Sequence, residues 1–228
     1  MRMNAHSHLP PHVLGGVRAV NPPGDEEMDT GPARRGGKAE LRCTQVLDAA
    51  RACFRAHGFQ GASMAQIAAT AGMSVGQIYR YFANKDAVIA AIIEQGVHEN
   101  IEHISTIEAL VRSGGDLAQV SAEAGSEHVA ASKHPDDLAL MLEIFAEAAR
   151  NPTIARMVQE ADARLRERAE AMITAARPGW SPDRVTAAVA TIAILHEGLY
   201  LRGVADPAGF GPAGRTLFQS LIAHALTA

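Results

Sequence analysis

The side chains best suited to binding another molecule lie together in the segment 72–86, GMSVGQIYRYFANKD. On a helical wheel of 100° per residue, an amide, a guanidinium and a phenol share one face: Gln77, Arg80 and Tyr81. An amide can pair with the edge of adenine in the major groove, a guanidinium with guanine or a phosphate, and a tyrosine hydroxyl with a phosphate. We therefore expect this face to contact DNA, although the solvated face of an ordinary amphipathic helix can carry the same residues.

The opposite face of the same wheel is apolar and should hold the helix against the rest of the protein. It contains Val75, Ile78 and Phe82, and Tyr79 lies at its edge, where a tyrosine can bury its ring and expose its hydroxyl. Gly76 lowers helix stability by roughly 1 kcal/mol relative to alanine, but it lets the helix approach another surface closely. The wheel therefore separates residues that hold the helix from residues that it displays.

Two short helices joined by a tight turn position this face. Ser63-Met-Ala-Gln66 and Ser74-Val-Gly-Gln77 are both capping boxes, in which the serine side chain accepts a hydrogen bond from a helical N–H and the glutamine bonds back. Gly72 ends the first of these two helices. A preceding helix that begins near Glu40 ends at Gly58. This local chemistry predicts a helix-turn-helix.

The rest of the chain is also predicted to be helical, because no segment alternates polar and apolar residues with a period of two. A fourth helix begins at Lys85 with Asn84 as its cap. Prolines stand at or near four of the later starts, and the remaining helices are expected at about 116–132, 136–150, 152–176, 182–203 and 212–227. Residues 1–38 are rich in proline and glycine and are predicted to be a disordered tail, so the fold class is all-α.

Charge is divided unevenly along the chain, whose net charge is −4. Residues 31–86 contain eight basic and three acidic residues, whereas residues 87–228 contain eleven basic and eighteen acidic residues. A basic first module indicates a polyanionic partner. Arg34 and Arg35, at the basic end of the tail, are candidates for an arm that enters a DNA groove, and a solvated linker is the alternative.

Other classes of site are not expected. Cys43 and Cys53 point to different sides of one predicted helix, which indicates two reduced thiols in a cytoplasmic protein. His98 and Glu102 share a helical face but His103 does not, so no metal site is expected. The sequence contains no nucleophile elbow, P-loop or dinucleotide fingerprint, so neither an enzyme nor a bound cofactor is predicted.

Residues 42–89 resemble the DNA-binding domain of the TetR/AcrR family of bacterial transcriptional regulators. Spacing and residue type agree without a gap over about a fifth of the chain, which is far more specific than a single short motif. The residues that carry the resemblance are Val46-Leu47-x-x-Ala50, Phe54-x-x-x-Gly58-Phe59, Ser63-Met64-x-x-Ile67-Ala68, Ala71-Gly72-Met73-Ser74, Gly76-x-Ile78-Tyr79-x-Tyr81-Phe82 and Lys85-Asp86.

The resemblance implies two domains after the tail. Residues 39–84 would form a three-helix DNA-binding domain with 75–82 as its recognition helix. Residues 85–228 would form a larger helical domain that binds a small molecule and forms a homodimer. Two recognition helices would then enter successive major grooves of a pseudo-palindromic site, roughly 34–36 Å apart or somewhat more.

The resemblance also implies roles for single residues. Ser63 would cap the second helix and meet a phosphate, Gln77 would read a base, and Tyr79, Tyr81 and Lys85 would contact phosphates. Histidine is common in the family at the position of Tyr81, and tyrosine keeps a hydrogen-bond donor there. The position of Arg80 is variable in the family, so its base or phosphate contact rests on the helical wheel.

The second domain is expected to supply the dimer interface and the ligand pocket. The segment 185–201 falls short of the roughly 20 apolar residues of a membrane span, and an interface helix is the better interpretation. His196 and Glu197 are expected in that interface. Its apolar residues are expected to be Val185, Ala188, Val189, Ile192, Leu199, Leu217, Leu221 and Ile222, with core packing inside one chain as the alternative. Candidates for an apolar pocket, with ordinary core packing as the alternative, are Met141, Phe145, Met157, Met172 and Tyr200.

The sequence therefore predicts a ligand-responsive DNA-binding transcriptional regulator that a small molecule releases from its operator. The ligand would change the tilt of the fourth helix and thereby the spacing of the two DNA-binding domains, which requires different affinities for the two states. The alternative is a helical small-molecule-binding protein or enzyme without sequence-specific DNA binding. That alternative leaves the basic module and the displayed polar face unexplained.

Overall fold

The computed structural model describes residues 32–131, 135–206 and 211–227, with side chains except at 32–36, 128–131 and 135–137. These residues form helices and no strand, so the predicted all-α class is confirmed for this part of the chain. The helices are α1 (Pro32–Gly61), α2 (Met64–Thr70), α3 (Val75–Ile78), α4 (Lys85–Arg112), α5 (Leu117–Ala131), α6 (Pro135–Ala148), α7 (Pro152–Ala176), α8 (Pro182–Ala205) and α9 (Pro212–Ala225).

The start of α1 differs from the sequence prediction. The helix begins at Pro32 rather than near Glu40, so the predicted tail boundary at residue 38 falls inside it. Proline is well tolerated in the first turn, where its missing N–H has no partner to lose. The backbone at Arg34 and Arg35 is helical, but their side chains lie outside the described part, as do residues 1–31, so the proposed arm stays a prediction.

The chain divides into two compact units, 1–95 and 96–228. The boundary lies eleven residues beyond the predicted one at 84, because the first turns of α4 belong to the first unit. Val88, Ile89 and Ile92 are buried there, with 0%, 1% and 3% of their surface exposed. Burying each such side chain stabilises the fold by about 1.5–3 kcal/mol, so the beginning of α4 is part of the first unit's core.

The first unit is a small helical core closed by two tight turns. Phe54 and Phe59 are buried with ring centroids 5.4 Å apart, a distance typical of favourable aromatic pairs. Gly58 has φ 68° and interrupts α1, and Gly72 has φ 64° and ends the α2 turn. Residues with a Cβ are strained in that region, which explains glycine at both positions.

The second unit packs α4, α5, α7, α8 and α9 around one apolar cluster. Gly125 on α5 allows a close approach, since an added Cβ would lie 3.0 Å from Ile222 Cδ1 and 3.1 Å from His196 Nε2. His196 Nδ1 donates to the Ile192 carbonyl oxygen at 2.9 Å, and its ring meets Phe218 edge-on. Burial lowers the pKa of His196, so the ring is neutral at neutral pH. The ring of His196 is therefore half-buried between α5 and α9. Its place in a dimer interface, expected from the sequence, stays a prediction.

A buried carboxylate joins α6 to α7. Glu147 is 0% exposed; its Oε2 accepts a hydrogen bond from Arg150 Nε at 3.0 Å and its Oε1 one from Asn151 Nδ2 at 3.2 Å. Asn151 Oδ1 in turn accepts the Thr153 N–H at 3.0 Å and caps α7. One glutamate thus orients the cap of the following helix, because buried polar groups must be hydrogen-bonded.

Glu147→Ala should lower the free energy of unfolding by roughly 2–3 kcal/mol, because it removes charged hydrogen bonds and leaves a buried amide without its acceptor. Thermal or urea unfolding measures the change. Glu160→Ala on the exposed side of α7 is the matched control and should shift the free energy by less than about 0.5 kcal/mol. Equal stability of the two variants would contradict the proposed role of Glu147.

Candidate nucleic-acid interface

Both predicted capping boxes are present. At α2, Ser63 Oγ accepts the Gln66 N–H at 3.2 Å and Gln66 Oε1 accepts the Ser63 N–H at 2.8 Å. At α3, Ser74 Oγ accepts the Gln77 N–H at 3.2 Å and Gln77 Oε1 accepts the Ser74 N–H at 2.9 Å. Each box satisfies two N–H groups that a helix start leaves without a partner. The helix-turn-helix predicted from these serines and glutamines is therefore confirmed.

The candidate recognition helix is shorter than the predicted 75–82. It is α-helical for four residues, and the chain then tightens, because the N–H groups of Arg80 and Tyr81 bond to the carbonyls three residues earlier, at 3.2 and 3.0 Å. Such a turn advances by about 120° per residue rather than 100°. The wheel is therefore inaccurate for the residues after Ile78.

This geometry corrects part of the predicted face. Ile78 and Phe82 are buried as predicted, at 0% and 2% exposure, but Val75 is 45% exposed instead of packed. Val75 is the first residue of α3, directly after the cap, so no preceding turn of this helix covers it. Tyr79 is 50% exposed rather than at the edge of the core, and Tyr81 is only half-buried.

The surface of α3 combines apolar, amide and cationic groups. Val75, Gln77 and Arg80 are all exposed, and a Cβ added to Gly76 would meet no atom within 4 Å. Within the described part of the chain, no hydrogen bond or ion pair involves the side chain of Arg80. Gly76 is not needed for internal packing, and the Arg80 guanidinium has no partner among the described residues. This surface is therefore open to another molecule.

Lys85 has an internal role that its sequence position did not indicate. Its Nζ donates to the carbonyl oxygens of Phe59 and Ala62, the latter at 2.9 Å, and lies 4.4 Å from the centroid of the Phe59 ring. Two of the three ammonium hydrogens are thus used to fasten the turn before α2 to the start of α4. Asn84 Oδ1 accepts the Ala87 N–H at 2.8 Å, which confirms it as the α4 cap. A phosphate contact of Lys85, predicted from the sequence, would be made by the remaining hydrogen.

The hydroxyl of Ser63, like the ammonium group of Lys85, is already engaged in internal hydrogen bonds. Ser63 is exposed, yet its hydroxyl donates to Gln66 Oε1 at 2.8 Å while it accepts the Gln66 N–H. A hydrogen bond from Ser63 to a phosphate would have to replace the bond to Gln66. Its predicted phosphate contact therefore remains a prediction, whereas its capping role is confirmed.

The five predicted pocket residues lie on α6, α7 and α8 and differ in exposure. Met172 is 7% exposed and packs in the core of the second unit, whereas Phe145 is 45% exposed. Met141, Met157 and Tyr200 are partly buried. Fifteen residues of α7 separate Met157 from Met172, which is about 22 Å at the rise of an α-helix. A pocket lined by both would have to extend along most of α7, so the pocket stays a prediction, whereas Met172 packs in the core of the second unit.

Part of the predicted dimer seam is corrected by the burial of its residues. Val185, Ala188, Val189 and Ile222 are buried inside the second unit and cannot face another chain. Leu217 and Leu221, also predicted for the seam, are exposed on α9. Other exposed apolar side chains on α8 are Ala187, Ala190, Ile194, Leu201 and Val204. The helical spacing of the apolar residues predicted α8 and α9 correctly, but it did not indicate which side of each helix faces away from the second unit. By length and composition alone, α8 is also long and apolar enough to span a membrane. Of its most apolar stretch, 11% is buried inside the chain.

No group of three or more metal-ligating side chains comes together among the described residues. His98 Nε2 lies 3.2 Å from Glu102 Oε1, four residues along α4. Such a pair is a common feature of a helix surface and needs no metal to explain it.

Lys85→Ala should destabilise the protein by about 1–3 kcal/mol, because two partly buried carbonyl groups lose a charged donor. Differential scanning calorimetry without DNA measures this effect and separates it from any phosphate contact. Lys38→Ala, which removes an exposed lysine from α1, is the control and should leave the midpoint unchanged. A Lys85→Ala variant as stable as the wild type would mean that the carbonyl contacts contribute nothing.

Two family models match the chain. The model described as bacterial regulatory proteins, tetR family, matches residues 46–92, which contain α2, α3 and the start of α4. The model described as BetI-type transcriptional repressor, C-terminal, matches residues 128–227. Together the two models cover well over half of the chain.

Curated relatives and solved structures agree with these matches. The chain is 33% identical to the transcriptional regulator UidR of Escherichia coli over 54% of its own length and 59% of UidR, so it spans about three-fifths of that relative. It is 27% identical to the regulator BetI of Agrobacterium fabrum over 73% of its length and 78% of BetI. The fold matches GusR of Salmonella enterica with a TM-score of 0.70 at 23% identity, over 83% of this chain and 97% of GusR.

The capped pair α2–α3, with its exposed amide, cation and tyrosine, lies inside the region matched by the first model, and the helices of the second unit lie largely inside the region matched by the second. The chain belongs to the TetR family of bacterial regulatory proteins.

Proposed function

We propose that this chain is a cytoplasmic, homodimeric transcriptional repressor that binds a DNA operator and is released from it by a small molecule. The observation that carries the proposal is the surface of α3 and the turn after it. Gln77 is exposed beside Gly76 on a helix that a capping box fixes in place, and Arg80 is exposed in the turn that follows. Amide and guanidinium groups at this position suit base edges and phosphates. The excess of basic residues in 31–86 supports a polyanionic partner.

Dimerisation is supported by the apolar faces of α8 and α9. Ile194, Leu201 and Leu217 are 67%, 59% and 62% exposed, and Leu221 is 43% exposed. A soluble monomer rarely leaves such a row of large apolar side chains in water, and a second copy of the chain could cover it. Small side chains at Ala187 and Ala190 would allow the helices of two copies to approach closely.

The small-molecule response rests on similarity to other proteins. Solved structures of the same fold include a FadR of Bacillus subtilis in complex with stearoyl-CoA and SmeT in complex with triclosan, at 19% and 21% identity. Each of those ligands belongs to its own protein, and the ligand of this chain is not specified by them. Release of DNA would follow only if the ligand binds the two states with different affinity.

A duplex taken from the DNA around the protein's own gene should bind more tightly than a shuffled duplex of the same composition. Affinity should fall by at least roughly 10³-fold between 50 and 200 mM salt, because six or more phosphates release counterions. Fluorescence anisotropy with both duplexes measures the two effects. Equal, weak binding of both duplexes would favour a helical small-molecule-binding protein or an enzyme without operator recognition. A compound that binds the protein should lower affinity for the specific duplex.

Ile194→Glu combined with Leu217→Glu should convert a dimer into a monomer at micromolar concentration, because two charges per chain would be buried in the interface. Sedimentation velocity measures the mass. Leu110→Glu, at another exposed apolar position of the second unit, is the matched control and should remain dimeric. A variant of α8 and α9 that still sediments as a dimer would place the interface elsewhere.

A further inference from the structure

Val75 is an apolar side chain that the fold of the first unit does not use. It is 45% exposed, whereas the neighbouring apolar residues Met73, Ile78 and Phe82 are 9%, 0% and 2% exposed. It stands beside Gly76, where an added Cβ would meet no atom within 4 Å. The open space and the exposed methyl groups lie together at the beginning of the helix that carries Gln77.

The capping box limits what Gln77 can offer to a partner. Its Oε1 accepts the Ser74 N–H at 2.9 Å, so the amide oxygen is directed back toward the start of α3. The two hydrogens on Nε2 remain as outward groups. Arg80 offers only donors as well. The exposed surface of Val75, Gln77 and Arg80 therefore presents methyl groups and hydrogen-bond donors, while the amide oxygen of Gln77 is bonded to the Ser74 N–H at the start of α3.

This combination matches some base edges and not others. Thymine presents a 5-methyl group and an O4 acceptor in the major groove, and guanine presents the two acceptors N7 and O6. Bidentate pairing of an amide with adenine needs the amide oxygen as acceptor for the N6 hydrogens, and cytosine presents a donor, N4. A surface of methyl groups and donors should therefore select thymine and guanine.

We propose that Val75 is a specificity-determining residue that packs on the 5-methyl group of a thymine, while Gln77 reads a neighbouring acceptor edge through Nε2 and keeps its oxygen in the capping box. This inference rests on the proposed function, because it requires α3 to enter a major groove. It replaces the adenine contact expected for Gln77 from the sequence. It also gives a role to the one residue of α3 that the wheel placed wrongly.

The first test uses the duplex isolated by selection from a random pool with the wild-type protein. Replacing each thymine in turn by deoxyuridine removes only a methyl group. At one thymine position in each half-site, the change to deoxyuridine should lower the affinity of the wild type roughly fourfold per half-site. This is the loss expected when one buried methyl group is removed. Val75→Ala should bind the thymine duplex more weakly and should show no further loss on the deoxyuridine duplex, so the two losses are not additive.

Leu41→Ala is the matched control, since Leu41 is an apolar side chain of the same unit that is 67% exposed on α1. It should retain the wild-type loss on the deoxyuridine duplex. If no thymine methyl group matters, or if Val75→Ala loses as much on deoxyuridine as the wild type does, the inference is overturned.

The second test separates the capping role of Gln77 from its reading role. Gln77→Glu keeps a carboxylate oxygen that can complete the capping box but removes both amide donors. Its melting temperature should equal that of the wild type, and a repeated selection should lose guanine at the Gln77 position and gain cytosine, whose N4 donates. An unchanged preference at equal stability would contradict donor reading.

The outcomes distinguish this inference from the proposed function. If selection with the wild type enriches no sequence, the proposed function fails and the inference fails with it. Selection could instead enrich an inverted repeat while the deoxyuridine and Gln77→Glu tests give results opposite to those expected above. In that case only the inference fails, and the chain remains an operator-binding protein that reads bases in another way.

Discussion

The reciprocal hydrogen bonds of Ser74 and Gln77 are the constraint on which the rest of the first unit depends. A helix of four residues has too few internal hydrogen bonds to persist alone. The capping box satisfies its first N–H groups, while burial of Ile78 and Phe82 fixes its other side against the core. The same bonds influence which groups are presented outward, because they direct the amide oxygen of Gln77 toward Ser74 and leave both Nε2 hydrogens without a role in the capping box.

The surroundings of α3 are fixed by equally local devices. Gly72 reverses the chain in a conformation that costs glycine little, and the Ser63 box starts α2. Lys85 joins the turn before α2 to the start of α4 through two carbonyl oxygens. The elements before and after α3 are therefore held in place by hydrogen bonds between partly exposed groups. Rigid support of this kind lowers the entropy that binding must overcome.

Much of this could be predicted from the sequence, since capping boxes, glycine turns and helical periods are local signals. Ser63, Ser74, Gly58 and Gly72 were located in this way. Three features could not be read locally. The exposure of Val75 depends on where a very short helix ends, and the contacts of Lys85 join residues 23 and 26 positions apart. The outward side of α8 depends on how α7 and α9, and to a smaller extent α5 and α6, pack against it, because apolar residues occur all round the helix.

Amide hydrogen exchange on the wild-type protein, with and without the selected duplex, tests the central claim that α3 is the element that reads DNA. The account predicts that DNA slows exchange in peptides covering Ser74–Tyr81, where the capping box and the base contacts coincide, and leaves peptides from α8 and α9 unchanged. Unchanged exchange over Ser74–Tyr81 under conditions where the duplex is fully bound would contradict the account.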